Sequence, residues 1–281
     1  MSLGIISNFA ADVAQRNLTQ SSDEATRSVA RLSSGTRVLS ARDDAAALAI
    51  GSRLNAEQEA LGQAQVNAGQ ANSMLQVADG AMARIDDILV RMNTLAVQAA
   101  SGQLDGDSRA FLNDEFDALR DEITRIADDT EFNGIKLLNV TAGDPNVTVD
   151  FQVGTGNEDN EDRITVSLVD VTVAGLDADL VAADLTTASG AGNAIENVID
   201  ALDALNTERA AIGASQNRLE FASQAVATTR ENTEAARSQL LDLDVARESS
   251  NFASQQILVQ AGVATLGQAN ALPQNLLSLF N

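Results

Sequence analysis

Carboxylates are the only chemistry-bearing groups that this 281-residue sequence supplies in quantity: 40 Asp and Glu stand against 18 basic residues, with no His and no Cys. Without imidazole there is no Ser-His-Asp triad, no His-ligated zinc and no proton shuttle near neutrality. Without thiols there is no Cys nucleophile, no Cys-ligated zinc or iron–sulfur site and no disulfide. What remains is oxygen chemistry. Asn157, Glu158, Asp159, Glu161 and Asp162 crowd the stretch TGNEDNED, and oxygen ligands at alternate positions suit Ca²⁺. The stretch lacks the central Gly and terminal bidentate Glu of an EF-hand loop, so it reads as a solvated hairpin tip. A carboxylate pair for glycoside hydrolysis can be drawn from 40 acids in many ways, but no cleft is implied that would select one. The glycines of GTGNEDNE precede no helix, which a phosphate-binding turn requires. The sequence therefore assigns no catalytic residue, no cofactor-binding residue and no metal ligand, and it is not read as an enzyme.

The balance of charge narrows the partners. A formal net charge of −22 repels phosphate backbones and anionic lipids, so neither nucleic acid nor an acidic membrane is expected. No run of about 18 apolar residues exists to span a bilayer. The start, MSLGIISNFAADVAQRN, has no basic region and no continuous apolar stretch, so no cleavable signal is expected. Every cation but Lys136 is Arg, the better residue for bidentate pairs between subunits; a genomic bias gives the same count. The apolar content is 44%, yet only eight Phe and no Trp or Tyr are present. That composition argues against a thick core built on large anchors and suits thin, helix-on-helix packing.

Periodicity places the elements. Ile5, Phe9 and Val13 recur at a spacing of four, and Val29 and Leu32 continue a face. SSGTRVLSARDDAA breaks it, with Ser40 or Asp43 expected to cap the next helix. Leu61, Ala64, Ala68, Ala71, Leu75, Ala78, Met82, Ile85, Leu89, Met92, Ala96 and Ala99 then alternate by three and four, and Ala47, Ile50 and Leu54 extend the seam backwards. A helix over about 45–100 would be roughly 80 Å long. SGQLDGDS ends it, Asp107 or Ser108 restarts, and Leu112, Phe116, Leu119, Ile123 and Ile126 share one face of a shorter, antiparallel helix. NVTVDFQVG and RITVSLV alternate as two half-buried strands of a hairpin at about 147–168. The stretch at about 176–193 reads as a short loop. Val198, Leu205, Ile212, Leu219, Val226, Thr233 and Leu240 then recur every seven residues. The fold class is mainly α: a long antiparallel coiled-coil or helical-bundle rod from the N- and C-terminal segments, with a small β-hairpin region in the middle.

The final stretch is apolar on more than one side, through Phe252, Ile257, Val259, Val263 and Leu266. A helix of that kind must be buried, and this chain has no bulk to bury it, so other copies must. A contact between unlike faces repeats without closing and gives a filament. The filament-core residues are thus Ile5, Phe9, Val13, Phe252, Ile257, Val259, Val263 and Leu266. The rod seam is set by Leu61, Leu75, Met82, Leu89, Leu205, Ile212, Leu219 and Val226.

Five ordered stretches resemble bacterial flagellin: RLSSGTRVLSARDDAAALAIGSRL (31–54), MNTLAVQAASG (92–102), DTEFNGIKLL (129–138), FQVG (151–154) and the ending from SSNFASQQ onward. The resemblance covers roughly residues 1–175 and 194–281. It implies an inner terminal domain of residues 1–42 and 243–281 that forms the filament core, and a rod-like domain of residues 43–242 around it. Only about twenty residues stand where many flagellins carry outer domains, so the chain resembles a minimal form. The family implies export without a cleaved signal, an extracellular filament for swimming, hook-associated and cap proteins at its ends, and an export chaperone on the C-terminal segment. Exposed Ser and Thr within 165–190 are candidate glycosylation sites, as in some relatives. Arg91, Leu95 and Glu115 align with positions that contact the flagellin-sensing Toll-like receptor, although Val90 and Asn93 depart from the family's pattern beside them. Two alternatives share the helical termini: a hook-filament junction protein and a stand-alone coiled-coil interaction protein.

Overall fold

A computed structural model of the chain describes residues 8–140, 148–158 and 161–277, with side chains as far as 271. Ile5, Val147 and Asp159 lie outside the described residues. Helix α1 (Phe9–Ser34) opens on Asn8, whose side chain accepts from the Ala11 amide. It closes on Gly35, whose φ of 71° returns its N–H to the Arg31 carbonyl. Helix α2 (Ala45–Ala100) runs unbroken for 56 residues. Its cap is Asp44, which accepts from the Ala47 amide at 2.8 Å, and neither Ser40 nor Asp43. Asp43 instead closes the preceding turn by accepting from the Leu39 and Ser40 amides. Helix α3 (Gly106–Asp129) is likewise capped two residues earlier than Asp107, by Asp105. In each case an Asp lies near enough in sequence for periodicity to leave the choice open.

A tight hairpin follows α3. Strands β1 (Glu131–Phe132) and β2 (Ile135–Lys136) are joined by Asn133 and Gly134, both at positive φ, as a two-residue Asn-Gly turn demands. Strands β3 (Thr148–Gln152) and β4 (Arg163–Ser167) pair antiparallel, with Phe151 opposite Ile164 and Val149 opposite Val166. Ile164, Val166 and Leu168 are buried while Thr165 and Ser167 face out, which is the alternation of the sequence.

The stretch expected as a loop at 176–193 is different. It contains the end of α4 (Val173–Leu176) and a 3₁₀ turn at Leu180–Ala182, and α5 (Ala188–Leu241) has begun before it ends. Val171, Val173, Leu176, Leu180 and Leu185 are buried. Asp170, Asp177 and Asp184 each accept from the backbone amide two residues on. These side-chain turns satisfy the irregular backbone locally, so the segment packs without a helical period.

The chain divides into two compact units, residues 58–231 and residues 1–57 with 232–281. In the first, all twelve seam residues from Leu61 to Ala99 are buried, and the ten from Ala68 onward share a core with Phe116 and Ile123 of α3, β4, and Val198, Leu205, Ile212 and Leu219 of α5. Leu61 and Ala64 pack with Val226, while Arg209 reaches Asp79 at 3.2 Å. As numbers rise along α2 they fall along α5, so these helices are antiparallel. Arg91–Glu115 and the Arg109 guanidinium on the Ala99 carbonyl give α2 and α3 the same relation. Met74 and Leu95 are buried as well, off the single seam, because α2 packs against α3 on one flank and α5 on another.

In the other unit α1 lies antiparallel to α6 (Val245–Leu277): Asn8 donates to the Ala269 carbonyl, Leu18 abuts Gly262, and Arg31 faces Glu248. The two breaks between helices are stitched to each other, through Arg37 N–H on the Leu241 carbonyl and Leu243 N–H on the Gly35 carbonyl. Ile50 does not extend the seam. It is exposed, and Gly51 turns inward, where a Cβ would come within 2.6 Å of Leu241.

Val226→Asp should destabilise the 58–231 unit by about 1–3 kcal/mol, because it puts a carboxylate in place of a buried apolar contact with Leu61 and Ala64. Urea unfolding followed by circular dichroism measures it; an unchanged midpoint would contradict the packing.

Candidate functional site

The terminal helix pair is where this chain leaves its largest physical demand unmet. Helix α1 buries one side chain, Ser28, and the buried side chain among the described residues of α6 is Glu248. No described apolar side chain of either helix is buried. Phe9 is 75% exposed and Ile257 65%, and Val29, Leu258 and Val263 are also exposed. Val13, Phe252, Val259 and Leu266 are half-buried. Two helices cover only one stripe of each other. Here that stripe includes Leu18 on Gly262, and Phe9, Ile257, Leu258 and Val263 stand on the remaining surface. Of the eight expected filament-core residues, the seven described ones are therefore accessible to another copy in whole or in part.

The polar side of this pair is ordered by one carboxylate. Glu248, buried, lies 3.8 Å from Arg31 and accepts from Asn251. Arg31 also approaches Asp43 at 4.0 Å. The Asp43 carboxyl is held below the usual aspartate range, chiefly by the Ser40 hydroxyl, with help from the Leu39 and Ser40 amides and the Arg31 charge. Asp105 is lowered in the same way by Ser108 at the start of α3. The Arg125 guanidinium lowers Glu122 on that helix.

The eight rod-seam residues lie inside. Leu61, Leu75, Met82, Leu89, Leu205, Ile212, Leu219 and Val226 are all buried in their own unit, so they build the subunit rather than its contacts. The three receptor-aligned positions separate. Arg91 and Glu115 pair at 2.6 Å across α2 and α3 with both side chains about half exposed. Leu95 is 1% exposed and packs inside the unit; its burial follows from the α3 flank, which a single heptad reading does not reveal.

At the hairpin tip, the Asp162 carboxylate is engaged by its own chain. Asp162 accepts from the Gly156 and Glu158 amides, and Asn157 accepts from Arg163. Gln152 links this tip to the strand by donating to the Gly154 and Gly156 carbonyls, and Asn67 of α2 donates to the Gln152 carbonyl.

Comparison with known proteins gives one answer along nearly the whole chain. Residues 5–142 match the bacterial flagellin N-terminal helical region and residues 195–280 match the C-terminal helical region. The flagellin of Halalkalibacterium halodurans is 38% identical, over 97% of this chain and 98% of that protein. The flagellar filament 33 kDa core protein of Treponema phagedenis is 34% identical over the same shares. Among solved structures, Bacillus cereus flagellin is 32% identical with a TM-score of 0.51, covering 61% of this chain and 94% of that one. A putative flagellar hook-associated protein from Vibrio parahaemolyticus, with a TM-score of 0.59 over 71% of this chain and 100% of that one, is 16% identical and shares the fold.

Two outcomes follow from this geometry. Arg91→Ala should change the unfolding free energy by no more than about 1 kcal/mol, since half-exposed ion pairs are screened by solvent; chemical denaturation measures it. Asp43 is depressed in the folded chain, so its stabilisation is present above the usual aspartate pKa and is lost as pH falls through the lowered value. Amide-exchange protection at Leu39 and Ser40 should therefore drop in that acid window, and in Asp43→Ala it should be low at every pH.

Proposed function

The chain belongs to the bacterial flagellin family, and from that premise we propose that it is a structural subunit that self-assembles into the bacterial flagellar filament, the organelle of swimming motility. One observation carries this reading: α1 and α6 hold no buried apolar side chain among the described residues, although Phe9, Ile257, Leu258 and Val263 stand exposed on them. Burying a Leu- or Phe-sized side chain is worth about 1.5–3 kcal/mol. Several such groups on one helix pair give a substantial drive toward association with further copies. The Treponema relative's name, a filament core protein, supports this reading over a hook-filament junction protein or a stand-alone coiled coil. The family is structural rather than enzymatic, and its filament is extracellular. Among the described residues, no helix is long and apolar enough to cross a membrane.

In this reading residues 1–42 and 243–281 form the inner domain of the filament, and residues 43–242 the shell around it. The packed stretch through α4 stands in place of outer domains. The subunit is secreted, and an export chaperone covers the C-terminal segment before assembly. That segment suits such a partner, because no charged residue occurs between 249 and 281. Hook-associated and cap proteins meet the same terminal helices at the filament's ends. For a flagellin-sensing Toll-like receptor, Arg91 and Glu115 are the reachable groups, whereas Leu95 contributes by holding α2 against its neighbours.

Deleting residues 247–281 should abolish filament formation while the helices of residues 58–231 persist. Electron microscopy of seeded samples, with circular dichroism of the same protein, checks both halves. Normal filaments from the truncated chain would refute the role of the terminal pair.

A further inference from the structure

Between neutrality and about pH 10 most proteins lose protons from His, Cys, Tyr or Lys. This chain has no His, Cys or Tyr, and Lys136 is the one lysine among its 18 basic residues. In model peptides carboxylates titrate near pH 4, and Arg keeps its charge beyond about pH 12. Two groups are then left to titrate in the interval, a terminal amine and Lys136. The formal net charge of −22 is close to a constant of this chain from neutrality into the alkaline range.

The structure puts these fixed charges at its junctions. Every charged residue of α1 and α6 is Asp, Glu or Arg. The ion pair that joins those helices is Arg31 with Glu248, and Asp43 approaches the same guanidinium. Between α2 and α5, Arg209 meets Asp79 and Asp86, and between α2 and α3, Arg91 meets Glu115. Lys136 belongs to the 58–231 unit, where its amine donates to the Asp128 carbonyl and faces Glu131 at 3.5 Å. Asp43, Asp105 and Glu122 are shifted down, away from neutrality, chiefly by hydrogen bonds from Ser40, Ser108 and Arg125. A further condition concerns the copies. If their contact crowded carboxylates together, some would keep protons at neutral pH. The stretch 249–281, which carries no charge, lets the terminal helices meet without that.

We propose that this chain exchanges no protons with the medium when it folds or when its copies join, from neutrality to about pH 9.5, so that its assembly is blind to pH across that range. The assembly half of this rests on the filament reading above. An equilibrium constant changes with pH only through protons taken up or released, and one proton per subunit moves it about tenfold per pH unit. With the same protons bound before and after, the slope is zero whatever the strength of the contacts. Repulsion between copies is constant as well, because the charge on each is constant. Such a subunit suits a filament that stands in a medium the cell does not buffer.

Seeded polymerisation of the full chain in unbuffered salt solution, held by a pH-stat at about pH 7, 8 and 9.5, counts the protons directly. Less than about half a proton per polymerised subunit is expected at each pH, with the threshold concentration constant within about threefold. Half a proton or more, or a larger drift of the threshold, would overturn the proposal. Urea unfolding of the unassembled chain is the second measurement: its midpoint should be the same at all three pH values, and a steady shift would overturn the folding half. Arg31→His introduces a group that titrates near neutrality opposite Glu248 and Asp43. Its charge is present at low pH and lost as pH rises, so the threshold of this variant should climb several-fold from about pH 6 to 8. A flat threshold in the variant would overturn the assignment of pH-blind assembly to fixed charge in the terminal pair. Failure of the unsubstituted chain to extend seeds at any pH would instead count against the filament reading, and the unfolding midpoints would still decide the folding half.

Discussion

Two helices packed together can shelter one stripe of each, and no more. In the 58–231 unit that limit is met: α2 is covered on one flank by α3 and on another by α5, and its seam is dry from Leu61 to Ala99. In the terminal unit α1 and α6 have only each other. Their mutual contact leaves Val13, Phe252, Val259 and Leu266 half-buried, and Phe9, Ile257, Leu258 and Val263 are left exposed. The energetic consequence is a subunit with a complete interior in one part and an incomplete one in another. Association with further copies completes it.

Magnitudes assign the work among the remaining interactions. The surface ion pairs, such as Arg91–Glu115 and Arg125 with Glu122 and Asp129, have largely exposed partners and are screened by solvent. They orient helices rather than hold them together. Burial of the seam does the holding. Its many alanines let the backbones approach, and residues such as Met82, Leu89 and Phe116 fill the space that remains.

Charge is distributed consistently with that division. Residues 101–210 hold 24 of the 40 acidic residues and 6 of the 18 basic ones, whereas residues 249–281 hold none of either sign. A chain so acidic would resist crowding with its copies if its contact helices carried the same density. Concentrating the carboxylates in the middle of the sequence leaves the terminal helix free to approach a neighbour. Several of the middle carboxylates are occupied locally in any case, since Asp162, Asp170, Asp177 and Asp184 all bind backbone amides.

The sequence by itself determined the long helices, the alternating hairpin and the apolar character of the two ends, because each is written in a period that the local backbone geometry imposes. All twelve seam positions and the buried face of β4 were legible for that reason. Burial beyond a single period was not. Leu95 and Met74 became interior only when α3 and α5 closed on two flanks of α2, and Ile50 was turned outward by the approach of Leu241 to Gly51. The segment around Leu180 and Leu185 has no period to read, yet it packs, because its aspartates satisfy the backbone at each turn. Periodicity reports which side of an element is apolar. Which neighbours cover that side, and which side chains are left uncovered, depends on contacts between residues far apart in the chain, and only the tertiary structure decides those.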